Sequence, residues 1–142
     1  MPRKDSMTNP RKNPTKEDLK EFLGVARYRR FKLIYDELAN MKFAAKMVWH
    51  EPDKHWIMRF YYSKIPLFSI HWGVDNFYAG MVLKNQVYQQ LLKQDGLSRD
   101  TQSLLEKCTP NRMKGTTRVE ANLEMMKENE GFFGLLPMLI KS

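Results

Sequence analysis

Lys46, Arg59 and Arg118 are three cations from three strand-like segments, and they sit in register with Tyr61, His71 and Glu120. Side chains two apart on a strand share a face, so alternation gathers these residues on one side of a sheet. Cations held close on a sheet repel one another unless acids, water or a bound anion screen them. A carboxylate or phosphate would satisfy them through charge-assisted hydrogen bonds. The expected contacts of such an anion are Lys46, Arg59 and Arg118, with Trp49, Tyr61 and His71 as walls. Strict alternation puts Trp49 on the face opposite Lys46, so it joins only if the strand bulges or at the rim. An ordinary solvated sheet face produces the same residue pattern.

Other chemistries have weaker signals. His50-Glu51-Pro52-Asp53-Lys54-His55 invites a metal reading, but the zinc-protease pattern needs histidines at i and i+4 on a helix. Here the spacing is i+5 with a proline between, which suits two histidines flanking a hairpin loop. That pair could hold a metal with Glu51 or Asp53 only if three or four ligands converge, and no metal is expected. Cys108 shares an apolar stripe with Leu104 and Leu105 and reads as a small buried hydrophobe rather than a nucleophile. No Gly-x-Ser-x-Gly occurs, and the seven glycines form neither a phosphate loop nor a dinucleotide fingerprint, so no cofactor is expected. An enzyme here would need an unfamiliar pair, His71 with Glu120, within hydrogen-bond reach. No catalytic residue is assigned, and the chain leans towards a non-enzyme. The ten methionines are dispersed and read as packing filler.

The elements that must position these side chains follow from periodicity. Residues 1–14 hold three prolines, two Asn-Pro steps and no apolar period, which predicts a disordered basic tail. Residues 15–142 are expected to form a single domain. Thr15 and Asp18 make a capping-box pattern before Leu19, Phe22 and Leu23, with Gly24 as a stop. A second helix is predicted from about Val25 to Asn40, with Phe31, Ile34, Tyr35 and Leu38 on one face. The period then alternates over residues 43–50, 55–62, 67–74 and 77–83, separated by Glu51-Pro52-Asp53-Lys54, Ser63-Lys64-Ile65-Pro66 and Asp75-Asn76. Links this short join antiparallel neighbours, so the four segments are predicted to form a meander. Short helices follow around Val87–Leu92 and after Ser98, then a fifth strand over 116–123 and an irregular last helix over 129–140 containing Gly134 and Pro137. The fold class is α+β: one antiparallel sheet of about five strands with helices on one face. That face collects Trp56, Met58, Phe60, Tyr62, Phe68, Ile70, Trp72, Val119, Ala121 and Leu123.

Charge and composition narrow the partners. The formal charge is +8, and residues 1–32 hold ten basic against four acidic residues, so the folded part is nearly balanced. A basic N-terminal region could contact phosphates in a salt-dependent way, which makes a nucleic-acid-binding accessory protein the alternative reading. No helix-turn-helix, zinc finger or aromatic RNA-binding signature accompanies it. No apolar run approaches the ~20 residues that cross a bilayer, no secretory leader is recognisable, and one cysteine excludes an intrachain disulfide. A cytoplasmic setting is expected, and the oligomeric state is open.

The run Lys46-Met47-Val48-Trp49 … Lys54-His55-Trp56 … Phe60 … Leu67 … Trp72 … Phe77, with Gly115-Thr116-Thr117-Arg118-Val119 later, resembles a group of small bacterial proteins known as domain of unknown function 3788. The resemblance spans about residues 16–141, and the layout is more distantly similar to YdhG- and YjbR-type small α/β domains. It implies a fold and a bacterial cytoplasmic setting but no activity. The regular final helix of that group is not matched at Gly134 and Pro137. Together these features favour a non-enzymatic domain binding a small anionic ligand or a partner.

Overall fold

The structure is a computed structural model and describes residues 7–73 and 76–140. At the first helix, α1 (Lys16–Leu23), Thr15 Oγ1 accepts from the Asp18 amide at 3.1 Å while Asp18 Oδ2 accepts from the Thr15 amide at 2.8 Å. This reciprocal pair satisfies two donors that a helix start otherwise leaves without partners. Gly24, at φ 85°, turns the chain into α2 (Val25–Asn40), which buries Phe31, Ile34 and Leu38.

Four strands follow, β1 (Phe43–His50), β2 (His55–Tyr62), β3 (Ile65–Trp72) and β4 (Phe77–Lys84), and then α3 (Asn85–Leu92) and α4 (Arg99–Glu106). A two-residue strand β5 (Pro110–Asn111), β6 (Thr116–Asn122) and α5 (Met126–Ile140) complete the chain. The strands form one antiparallel sheet in the order β1-β2-β3-β4-β6-β5. The meander and the late strand beside it are those the alternation predicted. The predicted end of the third strand at Val74 lies outside the described residues.

The departures have local causes. The link between β2 and β3 is only Ser63-Lys64, both at positive φ (49° and 71°). That is the geometry of a tight primed turn, whose twist matches the strands it joins. Neither residue is the Gly or Asn usual there, so the sequence suggested a longer loop. Pro110 starts a strand because β5 lies at the sheet edge, where a missing N–H breaks no ladder bond. The last helix begins at Met126 rather than 129, and Pro137 lies inside it.

The chain divides into two compact units, residues 1–69 and 70–142. In the first, the β1–β2 register pairs Phe43 with Tyr62, Ala45 with Phe60, Met47 with Met58 and Trp49 with Trp56. These residues share the face that meets α2, where the Tyr35 ring stands edge-on to Phe60 at 6.3 Å. Phe60 stacks on Phe68 at 4.8 Å, and Phe43 meets Phe68 edge-on at 5.4 Å. The expected disordered tail is corrected in part. Residues 1–6 lie outside the described residues, but Met7 is 2% exposed and Pro14 is buried. The Trp56 indole also donates to the Asn9 carbonyl at 2.7 Å. Tail residues that read as polar spacer therefore include one apolar side chain and one acceptor that the sheet uses.

In the second unit β4 pairs with β6, and Ala79 with Ala121 and Met81 with Val119 are buried pairs. The Tyr88 hydroxyl donates to the Leu105 carbonyl at 2.6 Å, tying α3 to α4. Helices α4 and α5 pack closely: the Thr101 hydroxyl donates to the Gly131 carbonyl at 2.9 Å, and both residues are buried. Among the described residues no helix is long and apolar enough to cross a membrane.

Candidate functional site

The second face of β1 and β2 is read from the same register. Ala44 opposes Tyr61, Lys46 opposes Arg59, Val48 opposes Ile57, and His50 opposes His55. Lys46 and Arg59 are thus a direct cross-strand pair of like charge, Lys46 exposed and Arg59 half-buried. Neither side chain makes a hydrogen bond or ion pair with any described residue. Acids in the adjoining hairpin are engaged elsewhere. Glu51 accepts from the Trp49 indole at 2.7 Å, and Asp53 faces the two histidines. Half-buried Tyr61 lies two residues beyond Arg59 on the same face.

Trp49 does not join this group. It is paired with Trp56, edge-on at 5.9 Å, on the helix-covered face. No bulge interrupts the ladder from Phe43 to His50, so alternation holds and Trp49 is a support for the hairpin. The open-face expectation also fails at His71, which is 4% exposed, and Ile57, two residues before Arg59, is buried as well.

The remaining two candidates belong to the second unit. His71 stacks on Tyr78 with centroids 5.5 Å apart and planes 10° from parallel. Gly80 leaves room for the Arg118 guanidinium: a Cβ there would lie 2.8 Å from Nη2 and 3.7 Å from His71 Cδ2. Arg118 is therefore brought close to His71, but its Nε donates to Glu120 Oε1 at 2.5 Å. An arginine already paired in this way offers less to an added anion than Lys46 or Arg59. Glu120 is correspondingly committed to Arg118, which weakens its case as a catalytic partner for His71.

In the hairpin, Asp53 Oδ2 lies 3.5 Å from His50 Nε2 and 3.9 Å from His55 Nε2. The turn closes through the Lys54 amide on the Glu51 carbonyl at 3.2 Å, as the four-residue connection predicted. An aspartate between two imidazoles is an ion-paired clamp whenever either ring is protonated, and it has the ligand types a divalent metal uses. His55 Nδ1 is in contact with the Trp56 carbonyl at 2.9 Å, which orients the ring.

Cys108 is half-buried rather than fully buried as its apolar neighbours implied, and it lies just beyond the end of α4. Its thiol donates to the Leu104 carbonyl at 3.4 Å, and its pKa is raised by burial first and by the Glu120 charge second. A thiol held protonated in the fold contributes stability that is fully present below the ordinary thiol range and is lost as pH rises from that range through the raised folded value. Ellman's reagent at pH 7–8 should therefore react much more slowly with the folded protein than with a cysteine peptide, with parity restored in denaturant. Reaction at peptide speed in the folded state would show an activated thiol instead.

Sequence periodicity missed one feature of the first unit. A cavity of about 300 Å³ lies between the helices and the covered face of β1–β2, lined by Leu19, Tyr28, Phe31, Tyr35, Met47 and Met58. Tyr28, Phe31 and Tyr35 follow a helical spacing that reads as ordinary core. Only two of the three being tyrosine, with hydroxyls to place, distinguished them from filler. No family model, no curated protein and no solved structure matches the chain.

Proposed function

We propose that the protein is a non-enzymatic, cytoplasmic binding domain that takes up an anionic group, a carboxylate or phosphate of a small ligand or partner, at Lys46 and Arg59. The observation that carries this reading is the directly opposed Lys46–Arg59 pair without a described acidic partner. Like charges directly opposite on a sheet are destabilising, by roughly 0.2–1 kcal/mol. A bound anion reverses that sign, because a guanidinium can hold two oxygens at once while the ammonium supplies a second charge. Tyr61 supports the reading as a half-buried ring with a hydroxyl on the same face. The family resemblance brings no activity with it and adds only a bacterial setting.

Pyrophosphate, titrated at constant ionic strength against chloride, tests the reading. The thermal midpoint of the native chain should rise with pyrophosphate, as binding to the folded state alone requires. Arg59→Ala should fold with an unchanged or slightly higher midpoint and lose that response. An equal rise in native chain and Arg59→Ala would remove Arg59 from the site and refute the proposal.

A further inference from the structure

The cavity under α1 and α2 has walls, a floor and a charged rim that together specify a ligand. Its walls are a fan of rings along α2: Tyr28 and Phe31 are 6.2 Å apart and tilted 48°, Phe31 and Tyr35 5.9 Å apart and tilted 49°. The floor is Met47 and Met58, direct cross-strand partners on β1 and β2. Thioethers adapt to the shape of an apolar guest and make favourable contacts with aromatic rings. The volume of about 300 Å³ is at the lower end of small-molecule sites and about twice the apolar cavity that takes up benzene. That is more room than a single ring needs, and two fused rings can be accommodated.

Two lysines line the rim, and they are not equivalent. Lys32 is neutralised by Asp36, to which it donates at 2.5 Å, and its ammonium sits 5.6 Å from the Tyr35 ring centre. Lys16 is exposed, and its ammonium makes no hydrogen bond or ion pair with any described residue. One unengaged cation beside an aromatic and thioether interior matches a flat apolar body bearing a single negative charge.

We infer that this cavity binds a planar bicyclic aromatic monoanion, its rings between the α2 aromatics and Met47/Met58 and its carboxylate at Lys16. The site is separate from the anion contact at Lys46 and Arg59, which lie on the other face of the same strands. Its ligand is chosen by apolar shape first and by charge second.

The probe is 2-naphthoate, with neutral 2-naphthalenemethanol as control, followed by the methionine methyl NMR signals and by the thermal midpoint. Addition of 2-naphthoate should shift the Met47 and Met58 methyl signals and raise the midpoint. Met58→Trp, which fills the floor, should weaken 2-naphthoate binding about tenfold or more. Met47→Phe gives a milder filling and the same direction if the larger side chain prevents folding. Lys16→Glu should weaken the carboxylate roughly threefold to tenfold and leave the alcohol unchanged. Arg59→Ala should leave 2-naphthoate binding unchanged, so failure here and failure of the sheet-face reading are distinguishable. Absence of methionine shifts, or undiminished binding in folded Met58→Trp or Met47→Phe, overturns the inference. So does loss of 2-naphthoate binding in Arg59→Ala.

Discussion

Gly131→Ala should lower the thermal midpoint, although alanine is the better helix former by about 1 kcal/mol. A Cβ at Gly131 would lie 2.6 Å from the Asp100 carbonyl oxygen, 3.0 Å from its carbon and 3.3 Å from the Thr101 nitrogen. All three are backbone atoms in the first turn of α4, and that turn is fixed twice. The Ser98 hydroxyl caps it at the Thr101 amide, 3.2 Å away, and the Thr101 hydroxyl donates to the Gly131 carbonyl. The helices must then separate, and overpacking of this kind costs about 1–3 kcal/mol and sometimes more. Set against the propensity gain of about 1 kcal/mol, this clash leaves a net loss of up to about 2 kcal/mol, or as much as roughly 4–8 °C in midpoint for a chain of this size. Gly134→Ala should act in the same direction, since its Cβ would meet the buried Thr101 Oγ1 at 2.5 Å. Gly80→Ala is the control. Its near contact, 2.8 Å, is to the terminal Nη2 of an exposed arginine that can swing away, so the change should stay within about 0.5 kcal/mol. Thermal unfolding followed by circular dichroism separates the cases. A higher midpoint for Gly131→Ala would mean that α4 and α5 do not approach so closely.

That glycine contact illustrates what sequence could and could not reveal. The helix starts at Thr15 and Ser98 were legible because a cap is chemistry within three or four residues. The strands were legible because aromatic and β-branched alternation persisted over eight residues at a time. Gly134 carried a local meaning only, as a weak point in a helix, and Gly131 carried none. Their use depends on the first turn of α4, thirty positions away in the chain, and no period records such a meeting. The same limit hid the Ser63-Lys64 turn, where two residues without turn propensity take positive φ because the strands on either side impose it.

The candidate site divides in the same way. Lys46, Arg59 and Tyr61 share a face because period two fixes it once β1 and β2 pair without a bulge. Trp49 fell outside for the same reason, one residue out of phase. Arg118 was correctly placed on its strand, yet its pairing with Glu120 is an i, i+2 contact that competes with a ligand. The cavity was illegible because a ring lining a hollow and a ring filling a core have identical spacing. Volume is decided by how two helices sit on a sheet, and methionine at positions 47 and 58 gave no sign of which applied.

Removal of residues 1–13 should destabilise the protein, against the expectation for a polar tail rich in proline. Met7 is 2% exposed, and full burial of a methionine contributes about 1.5–3 kcal/mol. The Trp56 indole loses its acceptor, the Asn9 carbonyl at 2.7 Å. Water reaches the uncovered nitrogen, so this loss is near the ~0.5–1.5 kcal/mol net value of a hydrogen bond rather than the larger penalty of a buried orphan. The midpoint should therefore fall by several degrees. Met7→Ala alone should reproduce most of it without removing any charge. The drop should also persist at high salt, since screening acts on charges and not on burial. An unchanged midpoint in both variants would return residues 7–13 to the free tail that their composition suggests, and a drop that vanishes in salt would assign the effect to Arg11 and Lys12 instead.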